Sequence, residues 1–287
     1  MNGLIMAAGT SSRMAPLSYE CPKALLEIRG EILIERQIRQ MQAGNIKEIV
    51  VVIGYKKELF YYLKEKFGVI LIDNPDYERL NNYSTLYHGR DYIQNTYISC
   101  GDYYFVENPF IEKRENSCYA LEYSLGETDE WCVDMDASGC IKQVAIGGKN
   151  QWFMKGWIYF TEDFSKKLMG YIISVYKEGI ETDIYWEDIY IRHIDELMLY
   201  GTCYEKDEIL EFDSLEDLRA KEPSYIKDSR SRILKSIADS LHCSEDKIIN
   251  IIPVKKNQES IGFEFKALNN YYSYIYEEKK LCKKETV

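Results

Sequence analysis

The sequence predicts an α/β protein with a doubly wound, mostly parallel sheet and a small α+β appendage. Apolar runs alternate with amphipathic segments in the order β-α-β-α-β over residues 4–72. Ile49–Ile53 is an almost continuous β-branched run, which is typical of a strand buried on both faces of a parallel sheet. Short alternating strands replace this order after Glu222-Pro223. We therefore expect one domain over residues 1–222 and an appendage over residues 223–287.

The first part of the chain supplies the parallel half of the sheet. A buried strand, Leu4–Met6, runs into a loop of small and polar residues. Ile34, Ile38 and Met41 recur at spacings of three and four, which predicts an amphipathic helix that ends at Gly44. The later elements are expected, in order, as a strand over 49–53, a helix over 56–67, a strand over 69–72, a helix from about residue 84 and a strand over 96–100.

The middle of the chain has a looser pattern. Residues 117–160 predict antiparallel strands or hairpins that form a wall beside the sheet, with turns at 137–139 and at Gly147-Gly148. A helix over 162–177 follows, and another begins near Thr182. Residues 201–220 read as strand, strand and helix. The appendage is expected to contain a helix over 229–242 and two or three short antiparallel strands over 250–278.

Composition and charge argue against several classes of protein. Of the 287 residues, 46% are hydrophobic and 29% are charged, which suits a globular protein with a substantial core. The formal net charge of −11, without a basic tract, argues against a nucleic-acid binder. No segment approaches the roughly 18 consecutive apolar residues of a membrane span, so membrane insertion is not expected.

Cysteine usage and the N-terminal residues predict a cytoplasmic protein. The eight cysteines are scattered without a CxxC pair, and the chain has three histidines, so neither a zinc site nor a disulfide framework is favoured. The first residues read as strand and loop, in contrast to the charged region and long apolar segment of an export signal. We expect the thiols to be reduced.

The loop in "LIMAAGTSSRM", residues 4–14, is a candidate phosphate site. Small residues let backbone N–H groups approach an anion closely, and Arg13 adds a planar, permanently charged donor. The loop has neither the Gly-Lys-Ser/Thr of a Walker loop nor a GxGxxG fingerprint. Because a strand, a glycine and a polar loop also occur in α/β proteins without such a ligand, the stretch alone leaves phosphate binding open.

Three further positions carry suitable chemistry. Lys23 follows Pro22, Asp102 follows a strand, and Glu187-Asp188 lies within "IETDIYWEDIY". Basic groups can hold a triphosphate, and separated carboxylates can converge on Mg²⁺. Nucleotidyl transfer needs little more, since the incoming phosphate oxygen is already anionic. Each acidic position also has a structural alternative, Asp102 as a helix N-cap and the pair as an exposed helix face.

Together these residues carry a resemblance to a known family. "MAAGTSSRMAPLSYECPKALLEIRGEILIERQIRQMQAGNIKEIVVVIGY" resembles the opening of the sugar-phosphate and alcohol-phosphate nucleotidylyltransferases. "NPDYERLNNYSTLYHGRDYI" and "YWED" are more similar to the bacterial CTP:phosphocholine cytidylyltransferases, and the similarity covers about residues 1–220. The resemblance implies a Rossmann-like nucleotidyltransferase fold and Mg²⁺-dependent transfer of CMP from CTP to phosphocholine, a small phosphorylated alcohol, with release of pyrophosphate.

The resemblance also implies residue roles. Lys23 and Arg13 are expected to bind the reacting phosphates, and Asp102 and Glu187 to ligate Mg²⁺, with Asp188 as the competing carboxylate. The remaining nucleotide-binding positions are Ala7, Ala8, Gly9, Thr10 and Ser11 for the phosphates and Asn74, Asn81, Asn82 and Ser84 for the base and ribose. Ser11 occupies a position that the family usually gives to glycine, so we expect an altered loop geometry with function retained.

The acceptor pocket is predicted from aromatic residues. A quaternary ammonium binds to aromatic ring faces through cation–π attraction. The candidates are Trp131, Tyr185, Trp157 and Tyr159, with Trp186 beside the expected metal ligand; the alternative for each ring is a place in the core. Other acceptors stay open, namely 2-aminoethylphosphonate, phosphoethanolamine and sugar phosphates. A nucleotide-binding regulator without activity is the alternative from another class.

The C-terminal segment carries a second resemblance. "SEDKIINIIPVKKNQESIGFEFKALNNYYSYIY" resembles the first strands of choline-kinase-like phosphotransferases, with residues 256–259 in place of the glycine-rich turn. The sequence stops before a catalytic loop, so kinase activity is not expected. We expect a packing module, or a homodimer that forms through exposed strand edges.

Overall fold

A computed structural model describes residues 1–256 and 259–284. The strands, numbered along the chain, are β1 Asn2–Ala7, β2 Glu27–Ile28, β3 Glu31–Ile32, β4 Ile49–Ile53, β5 Ile70–Asp73, β6 Thr96–Cys100, β7 Tyr103–Phe105, β8 Cys118–Tyr123, β9 Glu127–Met135, β10 Ile141–Lys149, β11 Trp152–Phe160, β12 Tyr200–Tyr204, β13 Ile209–Glu211, β14 Ile249–Lys256, β15 Glu259–Ala267, β16 Asn270–Ile275 and β17 Lys280–Lys283. The helices are α1 Leu17–Glu20, α2 Leu33–Ala43, α3 Tyr62–Phe67, α4 Tyr83–Gly89, α5 Glu162–Glu178, α6 Trp186–Arg192, α7 Leu215–Lys221 and α8 Arg232–Ser240.

The contacts divide the chain into two compact units. The first consists of Met1–Gly9 and Leu33–Glu211, and the second of Thr10–Ile32 and the chain from Phe212 onward. Each unit is described by itself below. The boundary expected after residue 222 stays a prediction about the domains of the chain.

The sheet of the first unit confirms the mostly parallel α/β fold. Strands β6, β1, β4 and β5 lie side by side in this order and are parallel. Leu4 of β1 lies opposite Val50 and Ile98 and is fully buried with them. The carboxyl ends of these strands therefore meet at one edge of the sheet, where α/β proteins bind their ligands.

The helices cover both faces of this sheet. A Cβ on Gly3 would lie 2.7 Å from the Met41 sulfur of α2, and a Cβ on Gly89 of α4 would lie 2.6 Å from Leu4 Cδ1. Successive residues of a strand point to opposite faces, so α2 and α4 pack on opposite sides of β1. This arrangement confirms the predicted double winding.

The antiparallel strands expected over residues 117–160 are confirmed, but they extend the same sheet and do not form a wall beside it. Strand β11 pairs antiparallel with β6, β9 and β10 continue beyond β11, and β8 joins β11 to β12. The turn expected at Gly147-Gly148 is also wrong, since both residues lie within β10. The register shifts between Ile146 and Gly148, and Gly147 has a φ of +82°. The two glycines therefore mark a β-bulge.

Two helices differ from the expected bounds. The segment 56–67 forms a 3₁₀ helix, Lys57–Phe60, followed by α3. Helix α6 begins at Trp186, four residues later than expected, because Thr182 is held by a hydrogen bond from the Asn81 N–H to its carbonyl oxygen, 3.1 Å long.

The second unit combines α1, the short β2–β3 ribbon, α7, α8 and an antiparallel sheet in the order β14-β15-β16-β17. Within the described residues this sheet has four strands, one more than expected. Tyr19 stacks on Tyr276 with ring centroids 3.8 Å apart, and the Tyr225 hydroxyl donates to the Glu27 carbonyl at 2.9 Å. These contacts join the segment 10–32 to the C-terminal part of the chain.

Several expectations about the chain's ends stay predictions. Residues 257 and 258, in the turn expected at 256–259, lie outside the described residues. The kinase-like resemblance and the homodimer are likewise untested. Among the described helices, none has the length and apolar character to cross a membrane.

Candidate active site

The carboxyl edge of the parallel strands brings the loops after β1, β4, β5 and β6 together in the first unit. The Tyr55 N–H donates to the Ala8 carbonyl at 3.0 Å, and the Gly101 N–H donates to the Met6 carbonyl at 2.9 Å. A Cβ on Gly54 would lie 2.9 Å from the Ala8 oxygen and 2.8 Å from the Tyr77 ring. Position 54 therefore needs glycine, because the loops after β1 and β4 approach each other at this point. Ala7 and Gly9 lie on either side of Ala8.

A cavity of about 600 Å³ lies at the ends of β4 and β5. It is lined by Gly54, Lys56, Lys57, Glu58, Asp73, Asn74, Pro75, Tyr77 and His88. Its volume falls within the range of small-molecule sites. The cavity is the candidate nucleoside site of the first unit.

Asn74 and Ser84, expected to recognise base and ribose, support the loop instead. Both residues are at most 1% exposed. The Asn74 amide donates to Ser84 Oγ at 3.0 Å and to Thr85 Oγ1 at 3.1 Å, and its oxygen accepts from the Asp76 N–H at 2.9 Å. These bonds use the polar atoms of the Asn74 side chain within the protein and fix the loop after β5.

Asn82 connects this loop to helix α6. Its amide nitrogen donates to Glu187 Oε2 at 3.1 Å, and its oxygen accepts from the Trp186 N–H at 2.8 Å. These two hydrogen bonds of the Asn82 side chain therefore fix the position of Glu187. Asn81 is partly exposed and donates to Asp183 at 3.3 Å.

Glu187 lies in a setting that disfavours its charge. The Tyr119 hydroxyl donates to its Oε1 at 3.3 Å. Burial raises the pKa of Glu187 to about 7, although the hydrogen bonds from Asn82 and Tyr119 act in the opposite direction. Near neutral pH the carboxyl group is therefore partly protonated, and a bound cation would favour its ionised form.

Asp102 lies beside a carboxylate that the sequence analysis did not single out. One carboxylate oxygen of Asp102 and one of Glu211 lie within 4.8 Å of each other. Strand pairing explains this, because Glu211 of β13 lies opposite Tyr103 of β7, the residue after Asp102. Two carboxylates this close repel each other, and oxygen donors of this kind suit Mg²⁺. Asp102 and Glu211 are thus the pair of carboxylates of the first unit whose spacing suits a magnesium ion.

Asp188 has a different task. Its carboxylate accepts from the Tyr185 N–H at 2.7 Å and so caps the N-terminus of α6. Because this bond occupies the Asp188 carboxylate at the helix end, Glu187 stays the preferred candidate of the two competing carboxylates.

The aromatic candidates fall into two groups. Trp131 of β9 and Tyr185 before α6 meet edge to face, with centroids 6.0 Å apart and planes at 73°. Tyr185 is 44% exposed and lies two residues before Glu187. The next residue, Trp186, is fully buried and stacks on Tyr119. The Trp131–Tyr185 pair is therefore the candidate acceptor surface.

Trp157 and Tyr159 belong to the core, and their expected part in the acceptor pocket is corrected. Trp157 is fully buried, its indole N–H donates to the Tyr204 hydroxyl at 3.0 Å, and the Arg114 guanidinium covers its ring. Tyr159 packs against Tyr97. Neither ring offers a face to a ligand.

The second unit holds the predicted cations. Lys23 and Arg13 both contact Asp213 Oδ1, at 2.9 and 3.1 Å. Burial acts to raise the pKa of Asp213, but the positive charges of Lys23 and Arg13 outweigh it and keep that pKa below the usual value. Two cations that share one carboxylate can also bind phosphate oxygens.

Ser11 adopts a left-handed conformation with φ 50° and ψ 43°. Glycine takes this conformation without strain, which explains why it suits this position. Serine keeps the conformation and a backbone N–H. The neighbouring Thr10 is exposed.

Sequence reasoning missed Tyr119, Glu211 and Asp213. The alternation in "ILEFDS" held a signal for the two acids, which lie two positions apart at a strand end. No local signal marks Tyr119, since its role depends on Glu187, 68 positions later.

Comparison with known proteins places the chain in a family. Residues 3–120 match the MobA-like NTP transferase domain. The chain is 35% identical to a 2-aminoethylphosphonate cytidylyltransferase of Lancefieldella rimae, over 78% of this chain and 93% of that protein. It is 32% identical to a choline-phosphate cytidylyltransferase of Streptococcus pneumoniae, over 77% of this chain and 97% of that protein.

A solved structure agrees with this placement. The CTP:phosphocholine cytidylyltransferase of Streptococcus pneumoniae superposes with a TM-score of 0.75 at 31% identity, over 78% of this chain and 98% of that one. Fold and relatives agree, and the chain belongs to the nucleotidyltransferase family that includes the choline-phosphate and 2-aminoethylphosphonate cytidylyltransferases.

Proposed function

We propose that this protein transfers CMP from CTP to phosphocholine in a Mg²⁺-dependent reaction that yields CDP-choline and pyrophosphate. The assignment of phosphocholine as the acceptor rests on the Trp131–Tyr185 pair beside helix α6. Such ring faces attract a quaternary ammonium, with about 0.5–2 kcal/mol per well-placed ring. The choline-phosphate cytidylyltransferase of Streptococcus pneumoniae, at 32% identity, supports the proposal.

The nucleotide is assigned to the small-residue loop and the cavity. The backbone N–H groups at Ala8 and Gly9 bind phosphate oxygens of the nucleotide. The cavity of about 600 Å³ holds the cytidine, and Gly54 keeps its wall open beside Tyr77. Asn81 is partly exposed and is assigned to contact the base.

The chemistry is a direct displacement at the α-phosphorus of CTP. An anionic oxygen of phosphocholine forms the new P–O bond, the bond between the α-phosphorus and the bridging oxygen breaks, and pyrophosphate leaves with the electron pair. Asp102 and Glu211 would hold Mg²⁺ together, and Glu187 is assigned as a further ligand; the bound ion would stabilise the charge of the leaving pyrophosphate. Asn82 and Tyr119 orient Glu187 for this task.

A second acceptor has support of its own. The relative in Lancefieldella rimae, at 35% identity, is a 2-aminoethylphosphonate cytidylyltransferase. Its substrate carries an unmethylated ammonium, which can donate hydrogen bonds to a carboxylate and depends less on aromatic faces. The same displacement chemistry serves both acceptors.

Pyrophosphate release across a grid of substrates tests the proposal. The grid combines four nucleoside triphosphates with phosphocholine, phosphoethanolamine, 2-aminoethylphosphonate, glycerol phosphate and hexose 1-phosphates, with Mg²⁺ or with EDTA. We expect strong release with CTP and phosphocholine that is lost in EDTA and in Asp102→Asn. Release with 2-aminoethylphosphonate alone would move the proposal to the second acceptor. CTP binding without release in any combination would indicate a regulator and refute enzymatic activity.

A further inference from the structure

Helix α2 directs polar side chains at the segment that carries Asp102. The Arg36 guanidinium donates to the Phe105 and Val106 carbonyls, and the Gln40 amide donates to the Phe105 and Glu107 carbonyls. Gln37 lies between them on the same helix and is fully buried. An amphipathic helix usually buries apolar side chains on its inner face, so these polar residues need a reason of their own.

Gln37 holds both ends of the turn that contains Asp102. Its amide nitrogen donates to the Cys100 carbonyl at 2.9 Å and to the Tyr103 carbonyl at 2.7 Å. These two carbonyls flank Gly101-Asp102. The Ser99 hydroxyl donates to the Gln37 amide oxygen at 2.9 Å. A single side chain therefore connects the last two residues of β6 with the first residue of β7.

The chemistry of these contacts requires a neutral amide. Both carbonyls only accept hydrogen bonds, so the NH₂ group must face them, and the amide oxygen is left to accept from Ser99. An apolar side chain would remove this donor from both carbonyls and so weaken the hold on the turn, although the Cys100 carbonyl also accepts from Ser99 Oγ at 3.3 Å. The geometry thus constrains the main chain on both sides of Asp102.

We propose that Gln37 is a positioning residue that fixes the Gly101-Asp102 turn, so that the Asp102 carboxylate stays beside Glu211 in the arrangement that a divalent cation needs. This inference rests on the proposed function, in which Asp102 binds Mg²⁺. Groups that orient metal ligands affect metal affinity about 10–100-fold when they are removed. Gln37 is expected to act in this way through the main chain.

Gln40 provides a matched control. It is the same residue type on the same helix, it is also buried, and its amide also donates to two main-chain carbonyls. Those carbonyls belong to Phe105 and Glu107, three and five residues after Asp102. If the two substitutions act only by lowering stability, Gln37→Met and Gln40→Met should change metal affinity to the same extent. If Gln37 positions Asp102, Gln37→Met should weaken metal binding more than Gln40→Met does.

The test measures Mn²⁺ binding to the full chain by electron paramagnetic resonance of the free ion. Gln37→Met keeps the length of the side chain and removes its donors. We expect it to raise the dissociation constant of Mn²⁺ about tenfold, while Gln40→Met stays within about twofold of the original protein. The Mg²⁺ concentration for half-maximal pyrophosphate release rises in parallel, and kcat at saturating Mg²⁺ changes less.

Asp102→Ala separates this inference from the proposed function. If Asp102→Ala binds Mn²⁺ as tightly as the original protein, Asp102 is no metal ligand, and both proposals about it fail. If Asp102→Ala loses Mn²⁺ while Gln37→Met and Gln40→Met bind it equally well, the role of Asp102 stands and the inference about Gln37 is overturned. If Gln37→Met does not fold, Ser99→Ala is measured in its place, because it removes the hydrogen bond that fixes the Gln37 amide. An unchanged Mn²⁺ affinity of Ser99→Ala would then refute the inference.

Discussion

Replacing Glu187 by glutamine should stabilise the protein at alkaline pH while it impairs catalysis. Burial raises the pKa of Glu187 from 4.5 to about 7. Because the folded-state pKa lies above the unfolded value, the folded protein binds the proton more tightly. The resulting stability is fully present below pH 4.5 and is lost as the pH rises through 7. The glutamine side chain of the variant does not titrate, so this pH dependence is absent from it.

The size of the effect follows from the shift in pKa. A rise from 4.5 to about 7 corresponds to about 3 kcal/mol between the fully protonated and fully ionised forms. Of this, about 2 kcal/mol falls between about pH 5.5 and about pH 8.5. The free energy of unfolding of Glu187→Gln, relative to the original protein, should therefore increase by about 2 kcal/mol across that interval.

Urea unfolding at several pH values in EDTA, without nucleotide, measures this difference. Glu181→Gln is the control, because the Arg192 guanidinium keeps the pKa of Glu181 below its usual value and the group stays ionised throughout. The free energy of unfolding of Glu181→Gln relative to the original protein should not change with pH. If the free energy of unfolding of Glu187→Gln relative to the original protein also stays constant with pH, the reasoning is refuted. A ¹³C titration of the Glu187 carboxyl would then show whether its pKa is raised in the folded protein. Turnover should fall at least about tenfold, because a neutral amide is a poorer ligand for a divalent cation than a carboxylate.

Three further variants test the site. Gly54→Ala places a Cβ 2.8 Å from the Tyr77 ring and should raise the KM for CTP far more than that for the acceptor; an equal rise would contradict the cavity assignment. Trp131→Leu should raise the KM for phosphocholine about 2–30-fold without affecting CTP binding measured by calorimetry, and unchanged kinetics would exclude this ring from the acceptor site. Asn82→Ala removes a donor that lowers the pKa of Glu187, so the acid limb of kcat/KM should move to higher pH; an unmoved limb would show that Glu187 does not control it.

Much of the first unit's fold could be predicted from local pattern. The buried run Ile49–Ile53 became β4 with identical bounds, and the periodic segment around Ile38 became α2. These elements follow hydrophobic periodicity, which a single sequence carries. Gly147-Gly148 misled the prediction because glycine suits both a turn and a bulge, and the pairing partner decides between them.

The sequence offers candidate site residues where one short motif carries the chemistry. The loop 7–13, Lys23 and Asp102 belong to such motifs, and the relatives support the same family. The roles of Asn74, Ser84 and Trp157 were less predictable, because burial decides whether a polar or aromatic side chain contacts a ligand or a neighbour.

The sequence by itself determined the mostly parallel α/β fold and the family, because hydrophobic periodicity and short motifs depend on residues close together in the chain. Only the tertiary structure decided that Glu187 has a pKa of about 7, that Glu211 lies beside Asp102 and that Gln37 holds the Asp102 turn. Each of these properties joins residues that are far apart in the sequence. Desolvation, pairing of carboxylates and hydrogen bonds to main-chain carbonyls arise only when folding brings such residues into contact.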